Sequence, residues 1–182
     1  MKILALAILA VPALLLPAAH AGMIGTDTIA WYFPNAATVF ATDTLAVGSS
    51  LSCPGTSPLC AGFSQPATFT ISSMAISLTE QCCTSYGPTF FNGFVFSNIE
   101  FADGGSIGGV ALSSSDMGGI SASDVSFTAN TISINLEGVA VGSGGSPGVF
   151  TLAVTETPEP SSWLLLGAAL AAVAVARGFR WA

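Results

Sequence analysis

From residue 22 to 156 the chain carries no apolar repeat of helical spacing over any useful length. Short runs rich in Val, Ile, Phe and Thr recur instead, bounded by Gly, Ser, Pro, Asn and Asp. β-Branched and aromatic residues suit a pleated, half-buried surface, and the bounding residues supply the conformations that turns need. The candidate strands are 28–33, 38–47 with a break near Asp43, 67–79, 90–101, 108–112, 125–128, 131–141 and 149–155. Val125, Phe127, Ile132, Ile134 and Leu136 alternate with polar residues. Ala129-Asn130 between them reads as a two-residue hairpin turn with Asn130 at positive φ. Phe69 and Ile71 hold one phase while Met74, Ile76 and Leu78 hold the other, which predicts a bulge near Ser72-Ser73. About eight short, regularly spaced strands predict an all-β domain, a β-sandwich of jelly-roll or immunoglobulin-like topology.

The placement of charge narrows function. The basic side chains are Lys2, Arg177 and Arg180, and the single histidine is His20, so residues 22–176 contain no Lys, Arg or His. A surface without cations has nothing to neutralise phosphates, which excludes nucleic acid as a partner, and it gives an anionic lipid surface nothing to attract. Ser-His-Asp and Cys-His nucleophile systems, Schiff-base chemistry and His-ligated metals are excluded on the same ground. No catalytic residues, metal ligands or cofactor are assigned.

Carboxylate-only chemistry remains as a reading. Glu100 and Asp103 lie close in sequence, and a glycosidase needs two carboxylates, although Asp103-Gly104-Gly105 reads more simply as a turn after a strand. Asp103, Asp116 and Asp124 sit in Gly/Ser-rich loops that would have to converge to hold calcium, without EF-hand spacing. Trp31, Tyr32 and Tyr86 offer stacking faces for a sugar or, alternatively, core filling. The Gly142–146 region follows no strand into a helix and reads as a loop rather than a phosphate cradle.

Four cysteines, Cys53, Cys60, Cys82 and Cys83, predict two disulfides in an exported chain. Three pairings are open. Joining Cys53 and Cys60 to the adjacent Cys82-Cys83 pair is favoured over a bridge between neighbours. A four-thiolate zinc site lacks the usual paired short spacing, and a redox role lacks a cation to lower a thiolate pKa.

The ends of the chain read as addresses. Met1-Lys2 gives a positive start, the following residues up to 16 an apolar core broken by Pro12, and Ala19 and Ala21 an A-x-A-like cleavage site before Gly22. Residues 1–21 are therefore expected to be a removable signal peptide handled by the secretory translocon, with a retained anchor as the alternative. At the other end Trp163 opens an apolar stretch, 163–176, that Arg177 and Arg180 close. As a helix it would measure about 21 Å against a hydrocarbon core of about 30 Å. The interfacial Trp and the positive flank favour a membrane span over an ordinary core helix, and Pro158 and Pro160 stop the helix from starting earlier.

Pro158-Glu159-Pro160, the following Ser161-Ser162-Trp163, the apolar stretch and the basic end at 177–180 together resemble the PEP-CTERM sorting signal of Gram-negative bacteria. The family's basic end is often a denser arginine cluster than the two separated here. The resemblance implies recognition by an exosortase, an integral membrane cysteine enzyme that processes the tail near Pro-Glu-Pro, usually in exopolysaccharide producers. The middle, from Phe90-Phe91-Asn92-Gly93 to Ile132-Ser133-Ile134-Asn135, is similar to an uncharacterised β-rich ectodomain of other PEP-CTERM proteins. The expected organisation is thus a signal peptide (1–21), a β-sandwich ectodomain (22–156) and a sorting signal (157–182). The expected role is a non-enzymatic surface or matrix protein, held briefly in the inner membrane with its ectodomain in the periplasm before reaching the cell surface. A module binding exopolysaccharide is the alternative, and a carboxylate hydrolase a more distant one.

Overall fold

The computed structural model describes residues 21–157, which form fifteen strands and two short 3₁₀ helices. In chain order the strands are β1 (Met23–Ile24), β2 (Thr26–Tyr32), β3 (Val39–Ala46), β4 (Ser50–Cys53), β5 (Ala67–Ile71), β6 (Ala75–Glu80), β7 (Thr84–Ser85) and β8 (Gly93–Ser97). There follow β9 (Glu100–Phe101), β10 (Ser106–Ser115), β11 (Met117–Gly118), β12 (Val125–Phe127), β13 (Thr131–Asn135), β14 (Ala140–Val141) and β15 (Gly148–Thr157). The expected signal peptide up to position 20, the motif 158–160, the stretch 163–176, and Trp163, Arg177 and Arg180 lie outside the described residues.

Ten strands build two five-stranded antiparallel sheets, ordered β12-β13-β8-β2-β3 and β10-β15-β6-β5-β4. That is more strands than the seven to nine of an immunoglobulin-like domain or the eight of a jelly roll. Period-2 patterning explains how the sheets meet. Along β15, Phe150, Leu152 and Val154 point inward and are buried, while Ala153 and Thr155 face out. Phe69, Ile71, Ile76 and Leu78 do the same for β5 and β6, and Ile29, Phe94, Phe96, Ile132 and Ile134 answer from the other sheet. All belong to one buried cluster, and the Phe69 and Phe94 rings meet edge to face with centroids 5.0 Å apart. Fully burying each such side chain contributes about 1.5–3 kcal/mol.

Several boundaries differ from the sequence expectation, each for a local reason. The phase slip at Ser72-Ser73 is a hairpin rather than a bulge: the Ser72 amide donates to the Ala75 carbonyl at 2.8 Å, and Ile71 faces Ile76 across the turn. The hairpin at Ala129-Asn130 is present, with Thr128 donating to the Thr131 carbonyl at 2.8 Å. Among the described residues the non-glycine positions at positive φ are Asn98 and Asp116 rather than Asn130, and Asn98 (φ 65°) is what splits 90–101 into β8 and β9. Phe127 is exposed because β12 is an edge strand. The edge strand β4 (Ser-Leu-Ser-Cys) holds no β-branched residue, so its sequence does not read as a strand. It is held partly by a hydroxyl ladder, Ser50 to Thr70 at 3.0 Å and Ser52 to Thr68 at 3.1 Å.

The disulfides also correct the expectation. Cys53 pairs with Cys60 and Cys82 with Cys83, so the cross-linked arrangement favoured from sequence is not the one formed. The 3₁₀ helix Pro58–Gly62 folds the loop back on itself. The Ser57 hydroxyl accepts from the Leu59 amide, Leu59 is fully buried, and the Cα atoms of Cys53 and Cys60 come to 5.2 Å. Loop-closure entropy for so short a ring gives about 2.5 kcal/mol. The C53S/C60S double variant is therefore expected to lose about that much in urea unfolding, and an unchanged midpoint would show the bridge to be energetically idle.

A candidate ligand cleft

The sequence β6–corner–β7 carries the most chemically loaded feature of the described residues. Glu80 ends β6 in the same inward phase as Ile76 and Leu78, and is only 3% exposed. The chain then turns through the bridged Cys82–Cys83 pair, and β7 zips to β14. Gly142, at φ 70°, lets that neighbouring turn approach the corner, since a Cβ there would run into Cys82. The turn aims Tyr86 back, and its hydroxyl donates to Glu80 Oε2 at 2.9 Å.

Beside this pair, Trp31 of β2 donates its indole N–H to Asn92 Oδ1 at 3.0 Å. Asn92 is fixed by the backbone: its amide donates to Asn135 Oδ1 at 3.1 Å, and its carbonyl accepts from the Leu136 amide at 2.9 Å. The Trp31 ring touches Phe40, Phe63, Tyr86 and Phe94, with centroids 4.9–5.9 Å away. Gly62 packs directly against the indole, where any Cβ would strike the ring. Together Trp31, Phe33, Phe40, Gly62, Ser64, Glu80, Thr84, Ser85, Tyr86 and Asn92 line a cleft of about 240 Å³.

Burial pushes the Glu80 carboxyl up to about 7 from its ordinary 4.5, against the lowering pull of the Tyr86 hydrogen bond. Burial, reinforced by that carboxylate, holds the Tyr86 phenol well above its usual range, so it stays a donor at any working pH. A second buried acid, Asp27, occupies the inward phase of β2 at the start of the strand, with no hydrogen bond to either oxygen among the described residues. Desolvation, helped by the field of Glu100, raises it to about 6.

The sequence candidates are redistributed by this geometry. Trp31 and Tyr86 meet at the cleft, but both are buried and their planes are inclined by 52°. Tyr32 points away and packs edge-on against Phe91. The three therefore make no flat sugar-stacking platform. Glu100 is exposed and sits near fully buried Asp27, which no substrate can reach. Asp103 accepts from the Gly105 amide, Asp116 from the Ser143 hydroxyl, and Asp124 closes a capping box on Ser121. No group of three potential metal-ligating side chains gathers among the described residues. Glu80 and Asn92 were missed from sequence, although Glu80 continues the inward alternation Ile76-Leu78 and could have been found by it.

Residues 156–180 match the PEP-CTERM protein-sorting motif. No curated protein and no solved structure matches the chain. A PEP-CTERM signal is recognised by exosortase, a membrane enzyme, and implies exosortase-dependent export of its carrier to the cell surface. The carrier of such a signal is exosortase cargo rather than the enzyme itself. Among the described residues no helix is long and apolar enough to cross a membrane.

Proposed function

We propose that this protein is a non-catalytic surface or extracellular-matrix component, exported in an exopolysaccharide-producing Gram-negative host and released by processing of its tail. The sorting motif at residues 156–180 is the observation that carries the reading. In the proposed sequence of events the translocon exports the chain and the signal peptide is cut after Ala21, with Ala19 and Ala21 as the small residues the peptidase accepts. The stretch 163–176 then holds the ectodomain on the periplasmic face, with Trp163 at the interface and Arg177 and Arg180 on the cytoplasmic side. An exosortase-like enzyme acts near Pro158-Glu159-Pro160. A span shorter than the hydrocarbon core suits a transient hold better than a permanent anchor. The two five-stranded sheets sharing one core support reading the exported domain as a β-sandwich.

Mass spectrometry of the native protein from its host tests this. The expected mature chain begins at Gly22 and ends near Pro160, and Pro158→Ala with Pro160→Ala leaves the tail attached in the membrane fraction. Recovery of intact Trp163 to Ala182 in the wild-type surface product would sink the processing step.

A further inference from the structure

The Trp31–Tyr86 cleft has a composition that selects among ligands, independently of how the protein is sorted. Its floor holds the carboxyl of Glu80, with Oε2 taken by Tyr86 and Oε1 without a hydrogen bond among the described residues. Its walls are aromatic, and Phe40 remains 49% exposed at the rim. No side chain between residues 22 and 176 is cationic, so the chain offers that carboxyl no counter-charge from within this span. An anion would meet a carboxyl without any balancing cation, and a purely apolar ligand would strip water from the acid. A metal ion would find too few ligands there.

We propose that this cleft binds the ammonium group of a small organic amine, with Glu80 as its counter-ion and the Trp31 and Phe40 rings as its aromatic wall. An ammonium supplies both things the site lacks, positive charge and N–H donors. Aromatic rings beside it add cation–π attraction, which strengthens where the charge is shielded from water. Tyr86, as a permanent donor to Oε2, orients the carboxyl and leaves Oε1 for the ligand. A cavity of about 240 Å³ admits an alkylamine or a single amino-sugar ring. The ammonium could thus belong to a free amine or to an amino sugar of a glycan.

The probes are n-butylamine, glucosamine, N-acetylglucosamine and n-butanol, titrated calorimetrically into the full-length exported protein at pH 7.5. At least one amine is expected to bind roughly tenfold or more tightly than its uncharged counterpart. Preference for butylamine identifies a free amine, and preference for glucosamine an amino sugar. Glu80→Gln, isosteric but neutral, is expected to cost roughly tenfold to a hundredfold in amine affinity. Phe40→Ala, at an exposed ring, leaves folding intact and weakens binding several-fold through the lost cation–π contact. Neither amine binding more tightly than its uncharged counterpart, a folded Glu80→Gln protein with undiminished amine affinity, or a folded Phe40→Ala protein with undiminished amine affinity would each overturn the proposal.

Discussion

Raising the pH from 4 to 8 is expected to destabilise the exported domain, the reverse of the usual acid sensitivity of proteins. Most folded proteins lose stability in acid because their carboxylates are paired with cations in the native state. Here residues 22–156 contain no Lys, Arg or His. Asp27 and Glu80 are held up by burial, Asp27 from 3.8 to about 6 and Glu80 from 4.5 to about 7. A native state that holds its protons more tightly than the unfolded chain is favoured wherever the unfolded chain has not yet released them. The contribution is therefore complete below about pH 4 and is lost as the pH rises to about 7. Each acid contributes on the order of 2–3 kcal/mol across that window, which translates to a melting temperature roughly 10–20 °C higher at pH 4 than at pH 8. Relief of like-charge repulsion across an acidic surface acts in the same direction. Thermal unfolding of the mature protein followed by circular dichroism across this range is the measurement. Asp27→Asn with Glu80→Gln should flatten the profile, since both amides are neutral at every pH. A melting temperature that climbs from pH 4 to 8, or a profile unchanged in the double variant, would show that these acids are ionised in the folded state.

Phe94→Ala is expected to cost about 3–5 kcal/mol, a large part of the stability of a domain this size. The Phe94 ring is fully buried, and its centroid lies 5.0–6.5 Å from those of Trp31, Phe63, Phe69, Tyr86 and Phe96. It is at once the bridge between the two sheets and the support behind the cleft. Truncation removes dispersion contacts on every side and leaves a cavity that backbones locked in two sheets close only in part. Phe127→Ala serves as the control: it is a phenylalanine of the same sheet, but 45% exposed on an edge strand, and should change stability by less than about 1 kcal/mol. Urea midpoints of the two variants compared with the parent decide the matter, and a Phe94→Ala loss no larger than that of Phe127→Ala would contradict a shared aromatic core.

The all-β class and the C-terminal sorting motif could be read from residues because each depends on local pattern. Alternation along β13 and β15 is set by the pleat itself, and a sorting signal must be legible as a linear string to the enzyme that reads it. The acids of the interior illustrate what local pattern hides. The expected strands began at 28 and ended at 79 and 155, each one residue short of Asp27, Glu80 and Glu156, all of which the structure buries in the inward phase. A charged residue in an apolar phase looks like a strand end, because burying it ordinarily costs several kcal/mol. Staying protonated or meeting a tertiary neighbour offsets that cost, and neither shows in a local pattern. For Glu80 the neighbour is a tyrosine brought back by a corner six residues on. Disulfide pairing had the same character: spacing left three arrangements open, and the fold of a single 3₁₀ turn chose between them. Residue order alone was enough to mark the chain as exported cargo with a β-rich domain. That this domain encloses a carboxyl and four aromatic rings around one cleft was settled in three dimensions, because those residues come from strands of both sheets and meet nowhere along the chain.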